Sequence, residues 1–311
     1  TGASMDENTG DLPACLAKVR ERLAWDSAPH RAVQPDGKIR AKGISCFWKA
    51  PAIPTFTDAG AVLYFAEDGS ATLGTGVIEI GQGAHEGLRM LVAEALKTDL
   101  DRVHVTRAVD TDRSPHDWAT AASRSLFMAG RAALEAVAAA VSQIQRTAAV
   151  PLQCRPDELE VAGGRVFVRA EPARFLPLEK VVLGYVYPNG NAIGGPVVGR
   201  GRYITPDLTG LDPETGAGKP WLEWTLGAEG VEVEVDPADG AIRVLKSACC
   251  MDVGKVVHPA LARGQAVGAM AMGIGYSLCE GFVFDARQVV QNGSLRDYKI
   301  LRYGEDPEYF V

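Results

Sequence analysis

The chain is short of positive charge: 32 Lys and Arg stand against 39 Asp and Glu, for a formal net charge of −7 at pH 7. No cationic surplus exists to draw it to nucleic acid or to an anionic membrane surface. Long apolar runs are missing too. Ala136 to Val141 is too short to cross a bilayer, and Gly264 to Leu278 is broken by glycines and polar residues, so no membrane span is expected. Thr1 to Asp11 lacks the basic-then-apolar order of a signal peptide, which makes the cytoplasm the expected compartment. None of the six cysteines (Cys15, Cys46, Cys154, Cys249, Cys250 and Cys279) belongs to a Cys-x-x-Cys pair. A sulfur-ligated zinc or iron-sulfur site is therefore not expected, and small buried thiols are. Also absent are a Gly-x-Ser-x-Gly elbow and a Walker loop, which removes the commonest hydrolase and nucleotide-hydrolase chemistries.

Glycine is what the chain has in excess: 34 of 311 residues, about 11% against the usual ~7%. Such usage points to close backbone approach, to other backbone or to a ligand. At about 150 residues per domain, the length suggests two domains. Leu12, Cys15, Leu16, Val19 and Leu23 fall at helical spacing after Asp11, predicting a helix over Leu12 to Trp25. Ala61 to Ala66, the turn Glu67-Asp68-Gly69 and Ser70 to Leu73 read as a hairpin, followed by a glycine-rich loop and a helix carrying Leu88, Leu91, Val92 and Ala95. Phe127 to Ala149 is alanine-rich and helical. The second half repeats this order, with strands over Glu229 to Val235 and Ile242 to Leu245, a loop through His258, and a helix over Leu261 to Leu278. Each half places a glycine-glutamine pair, Gly81-Gln82 or Gly264-Gln265, at a helix start. The expected architecture is α+β, two hairpin-plus-helix halves with mixed sheets. The expected segments are 1–60 (linker helix and connector), 61–150 (first half), 151–220 (irregular connector) and 221–311 (second half).

Gly81-Gln82-Gly83 opens a helix, where free backbone N–H groups and the helix dipole favour a phosphate or another anion. The Gln82 amide suits a heterocycle edge. A tight strand-to-helix turn is the plainer alternative. The run Gly81-x-Gly83-x-x-x-Gly87 is one residue longer than a dinucleotide fingerprint, and Asp110 stands where a ribose-binding acid would, which keeps a nicotinamide-dependent oxidoreductase open. Thr120, Ser123, Arg124 and Ser125 precede the long helix. Hydroxyls and a guanidinium there suit phosphate, but by local features alone Ser and Thr at such a place are caps. His85, Glu86 and His116 lack the spacing of a metal face, and His258 reads as structural.

Taken in order, Asp68-Gly69-Ser70, Gly76 to Gly83, Asp110-Thr111, Ala122 to Ser125, Asp252-Val253-Gly254, Gly264-Gln265 and Asp297 to Ile300 resemble the molybdenum hydroxylases. These are the molybdopterin-binding large subunits of xanthine dehydrogenase, aldehyde oxidase and carbon monoxide dehydrogenase, and the match is to their second molybdopterin-binding domain. The resemblance implies two halves of one cofactor-binding unit and a molybdenum-molybdopterin cofactor, with a cytosine dinucleotide tail. It implies that Gln82, between Gly81 and Gly83, and Gln265 hydrogen-bond the pterin or its phosphate, and that Thr120, Ser123, Arg124 and Ser125 line the phosphate and nucleotide portion. It implies hydroxylation of an aldehyde or an N-heterocycle, with a glutamate as general base and electrons leaving to iron-sulfur and FAD partners. That glutamate belongs to a Gly-x-Gly-Glu-Pro segment expected beyond Val311. The first molybdopterin-binding domain is expected as a separate partner, so the chain is expected to be inactive alone. Glu305 sits too early to serve as the base. His258-Pro259 replaces the family's Asn-Pro, and Leu301 replaces its Pro. A non-catalytic interaction or assembly domain is the remaining alternative.

Overall fold

The structure, a computed structural model, describes residues 9–49, 57–121, 123–221 and 224–311. In chain order its elements are α1 (Leu12–Arg22), β1 (Arg31–Val33), β2 (Ile39–Lys49), β3 (Asp58–Phe65), β4 (Ala71–Thr75), α2 (Ala84–Leu96), β5 (Val103–Val105), α3 (Ser125–Ala149), β6 (Leu159–Ala162), β7 (Arg165–Val168), β8 (Glu171–Pro177), β9 (Tyr185–Val186), β10 (Ala192–Ile193), β11 (Val198–Ile204), β12 (Thr225–Val235), β13 (Ile242–Asp252), α4 (Pro259–Leu278) and β14 (Glu308–Phe310). They fall into two compact units, one formed by the described residues between 57 and 221 and the other by residues 9–49 and 224–311.

The first unit is built on a mixed sheet in the order β11-β3-β4-β5, in which only β4 and β5 run parallel. Along β3, Ala59, Ala61, Leu63 and Phe65 alternate into the core, where they meet Leu88 and Val92 of α2 and Met128, Ala132 and Ala136 of α3. The alanines of α3 have a purpose here. They let the helix lie so close to β11 that a Cβ at Gly199 or Gly201 would stand 2.0 Å from the carbonyl oxygen of Ala136 or Ala132. The two helices approach each other in the same way, with Gly87 against Leu126 and Gly130 against Leu91. Gly87 is thus required by helix packing, which accounts for the last glycine of the dinucleotide-like run. By length and composition α3 could cross a membrane, but half of it is buried within this core. The stretch expected as an irregular connector holds the β6-β7-β8 sheet, the β9–β10 ribbon and edge strand β11. Its short strands and frequent Pro and Gly hide that order from a reading of periodicity.

The second unit carries the sheet β1-β2-β12-β13-β14, antiparallel except for β14 on β13. β2 pairs with β12 along its whole length, from Ile39 opposite Val235 to Lys49 opposite Thr225. The residues expected as a linker therefore form a structural strand and helix of this unit. α1 packs Cys15, Val19 and Leu23 against Ala228 and Ala248. Gly230 lies directly beneath, where a Cβ would come within 2.5 Å of Leu23 and 2.8 Å of Val19. Ser247, adjacent to Ala248 and so on the opposite face, donates its hydroxyl to Met270 Sδ of α4 at 3.3 Å. The sheet is therefore sandwiched between α1 and α4.

Candidate functional site

The loop from β4 to α2 is held by its own side chains. A Cβ at Gly76 would stand 2.4 Å from the Pro115 carbonyl oxygen, so the end of β4 runs in contact with the segment 115–117. The chain then turns through Gly81 (φ +101°) and Gly83 (φ +81°), left-handed conformations that favour glycine. Glu79 reaches across this turn. Its Oε1 accepts from the N–H groups of Gly81 at 3.0 Å and Gly83 at 2.8 Å, and its Oε2 accepts from His85 N–H at 3.0 Å. Burial by itself would raise the Glu79 carboxyl, but these three donors and the nearby His85 hold it below the usual glutamate value. The start of α2, expected from the sequence to be open to an anion, is thus closed by an anion of the chain itself.

Gln82 is turned onto the same loop. Its Oε1 accepts from Ile80 N–H at 2.7 Å and its Nε2 donates to the Ile78 carbonyl at 2.8 Å. That leaves one amide N–H and one acceptor lone pair for an outside group. Thr120 joins the two loops read from the sequence, its Oγ1 accepting from Ile78 N–H at 2.9 Å.

The start of α3 is built differently. Arg124 is fully buried, and its Nη1 donates to both oxygens of Asp117 at 3.1 and 3.0 Å and to the Ala119 carbonyl. Its Nη2 donates to the Asp58 carbonyl at 2.9 Å, and Trp118 covers the guanidinium. Its Nε is buried and has no hydrogen-bond partner among the described residues. Burial pushes the Asp117 carboxyl up, against the pull of Arg124. Before the helix, Ser123 takes a left-handed φ of +64°, unusual for a side chain other than Gly, Asn or Asp, and Ser125 is buried in the first turn.

Gln265 belongs to the second unit. α4 begins at Pro259, so the Gly264-Gln265 pair lies in its second turn and not at its start, with Gln265 exposed. Gly264, Gly268 and Gly273 face open space, while His258 Nδ1 accepts from Leu261 N–H at 3.2 Å and caps the helix. Asp252 accepts from the N–H groups of Gly254 and Asp11.

The other expected groups are bound locally. Asp110 accepts from Asp112 N–H within its own turn, and Glu305 accepts from Arg302 N–H. His85 uses its ring nitrogen on the Val77 carbonyl. Exposed His116 pairs with Asp58 at 2.8 Å. Among the described residues no three His, Cys, Asp or Glu side chains gather as a metal site.

Sequence reasoning passed over Glu79 and Asp117. A carboxylate two residues before a glycine that opens a helix is a signal for a cap of this kind. Asp117 carried no such signal, because only the fold brings it to Arg124.

Comparison with known proteins finds that a family model described as a molybdopterin cofactor-binding domain matches residues 18–307. A putative xanthine dehydrogenase molybdenum-binding subunit of Escherichia coli is 29% identical over 303 residues, covering 96% of this chain and 38% of that protein. The gamma subunit of the 6-hydroxypseudooxynicotine dehydrogenase complex of Paenarthrobacter nicotinovorans is 27% identical, over 89% of this chain and 33% of that subunit. Among solved structures, a Cu,Mo-CO dehydrogenase shares the fold with a TM-score of 0.76 at 19% identity, over 97% of this chain and 38% of that one. Quinoline 2-oxidoreductase from Pseudomonas putida shares it with a TM-score of 0.70 at 22% identity. The chain spans less than two fifths of the length of each of these relatives.

Proposed function

The chain belongs to the molybdopterin cofactor-binding domain family, and from that premise we propose that it holds the pterin and the nucleotide tail of a molybdenum cofactor within a molybdenum hydroxylase. The observation that carries this is at α3. Among the described residues, three of the four α-helices begin on an acceptor from the chain: Asp11 for α1, Glu79 for α2 and His258 for α4. α3 begins instead on a donor, Arg124, whose side chain forms no cap and whose Nε is buried without a partner. A buried donor with no acceptor is costly, by about 1–3 kcal/mol, and an incoming phosphate oxygen removes that cost.

The residues present fit the group. Arg124 Nε and the first-turn N–H groups of α3, which have no intrahelical acceptor, supply donors for a pyrophosphate, with the Thr120 and Ser125 hydroxyls as further polar groups of the same segment. Gln82 offers one donor and one acceptor to a neutral heterocycle edge. Gly81 and Gly83 let the backbone turn on either side of Gln82. Ser123, held in its left-handed turn, contributes to the nucleotide side, and exposed Gln265 offers its amide to the pterin. When bound, the cofactor supplies the oxidation–reduction centre, and the chain supplies position and electrostatics. Asp117 fixes the Arg124 guanidinium in place. No residue of this chain is assigned the base.

The same reading extends to a cytosine dinucleotide form of the cofactor, iron-sulfur and FAD partners, a first molybdopterin-binding domain, an aldehyde or N-heterocycle as substrate, and a cytoplasmic setting. Thermal unfolding in the presence of ligands tests it. Protection by a molybdopterin cytosine dinucleotide and none by NAD is the expected result. Protection by NAD alone overturns the reading in favour of a nicotinamide-dependent enzyme.

A further inference from the structure

We propose that Glu79 is a positioning residue that sorts the ligand by charge: its carboxylate fills the start of α2, so that the Gly81–Gly83 loop meets a neutral ring through Gln82 while phosphate is directed to the start of α3. This deepens the cofactor-binding reading and rests on it.

Three observations bear on it. First, Gly81, Gly83 and His85 all direct their N–H groups at one carboxylate, and the same three donors would otherwise form an anion cradle with the positive end of the helix dipole. Second, Gln82 lies between two of those donors. The Glu79 bonds to Gly81 and Gly83 fix the backbone on either side of it, and its bonds to Ile78 and Ile80 use one donor and one acceptor of its amide, leaving the others in a defined direction. Third, Thr120 ties Ile78 to the segment that leads into α3, so the loop that Glu79 orders is anchored to the loop that carries Arg124. A like charge at the first position and an unpartnered arginine donor at the second give the two helix starts opposite preferences.

Glu79→Ala removes all three bonds, while Glu79→Gln keeps an acceptor for Gly81 and Gly83 and presents an NH2 to His85 N–H. The backbone amide resonances of Gly81, Gly83 and His85 are followed in the full chain during titration with inorganic phosphate. Affinity for a molybdopterin cytosine dinucleotide is measured in parallel. Wild-type amides are expected to stay in place at millimolar phosphate, and those of Glu79→Ala to move with saturation. Nucleotide affinity is expected to fall about tenfold or more in Glu79→Ala and less in Glu79→Gln, which also serves if the alanine variant does not fold. Phosphate-induced shifts of these amides in the wild type, or unchanged nucleotide affinity in a folded Glu79→Ala, overturn the proposal. A wild-type chain that binds no molybdopterin nucleotide overturns the functional reading instead, and the phosphate titration still decides whether Glu79 excludes anions.

Discussion

The starts of α2 and α3 lie in one unit and look alike in sequence, each a run of small residues ahead of an apolar helix. In the structure they are opposites. α2 begins on two left-handed glycines with a carboxylate closed over its N–H groups. α3 begins on a left-handed serine and a buried arginine with a donor to spare. A glycine-rich loop before a helix is therefore not by itself an anion site. What decides is whether the chain already supplies the acceptor.

The contrast between the two helix starts depends most heavily on Arg124. Arg124→Ala leaves Asp117, with a side chain only 1% exposed, without its partner. The expected loss is about 3–5 kcal/mol, read from denaturant unfolding. A variant as stable as wild type would mean that the pair does not organise the start of α3. Next comes a change that displaces α3 and leaves its start untouched. Gly201→Ala places a methyl 2.0 Å from the Ala132 carbonyl oxygen and is expected to cost about 1–3 kcal/mol by overpacking. Gly264→Ala, where nothing lies within 4 Å, carries no such overpacking penalty.

A third test uses α4, the helix capped by a ring nitrogen. His258→Ala is expected to cost about 1 kcal/mol in thermal or denaturant unfolding, and His258→Asn, which restores a preferred cap, much less. Equal losses would show that the ring packs and does not cap. The smallest effect is expected from acid. Glu79 titrates below its ordinary value of 4.5 in the folded chain, so its contribution is fully present above that value and is lost as pH falls through the lower folded value. The protection of the Gly81, Gly83 and His85 amides from exchange, taken relative to the intrinsic rate at each pH, should fall below about pH 4.5. Among the described residues no carboxylate accepts from the first N–H groups of α3, and acid acts there on Asp117 instead, the partner of Arg124, whose carboxyl burial pushes up.

Much of this was legible in the sequence where local chemistry decides. The Asp68-Gly69-Ser70 turn, the Leu12 helix and the α3 helix follow from capping, turn residues and periodicity, and the ordered motifs carry the family. The sequence of β2 reads as connector because its partner β12 lies almost two hundred residues away. Only the pairing of the two strands, which no local pattern reports, makes it central to its unit. The site divides in the same way. Gln82 and Arg124 were found as residue types suited to a ligand, but Asp117 and the Ala119 and Asp58 carbonyls around Arg124 come together only by folding. Glycine shows both cases at once, since Gly81 and Gly83 serve a turn while Gly87, Gly199 and Gly201 serve the contact of helices with helix and strand.

A crystal structure of the protein with its molybdopterin nucleotide bound distinguishes the two helix starts. Pyrophosphate oxygens are expected within hydrogen-bond distance of Arg124 Nε or of the first N–H groups of α3, with Glu79 still holding Gly81, Gly83 and His85. A pyrophosphate seated on those three N–H groups in place of Glu79 would contradict it.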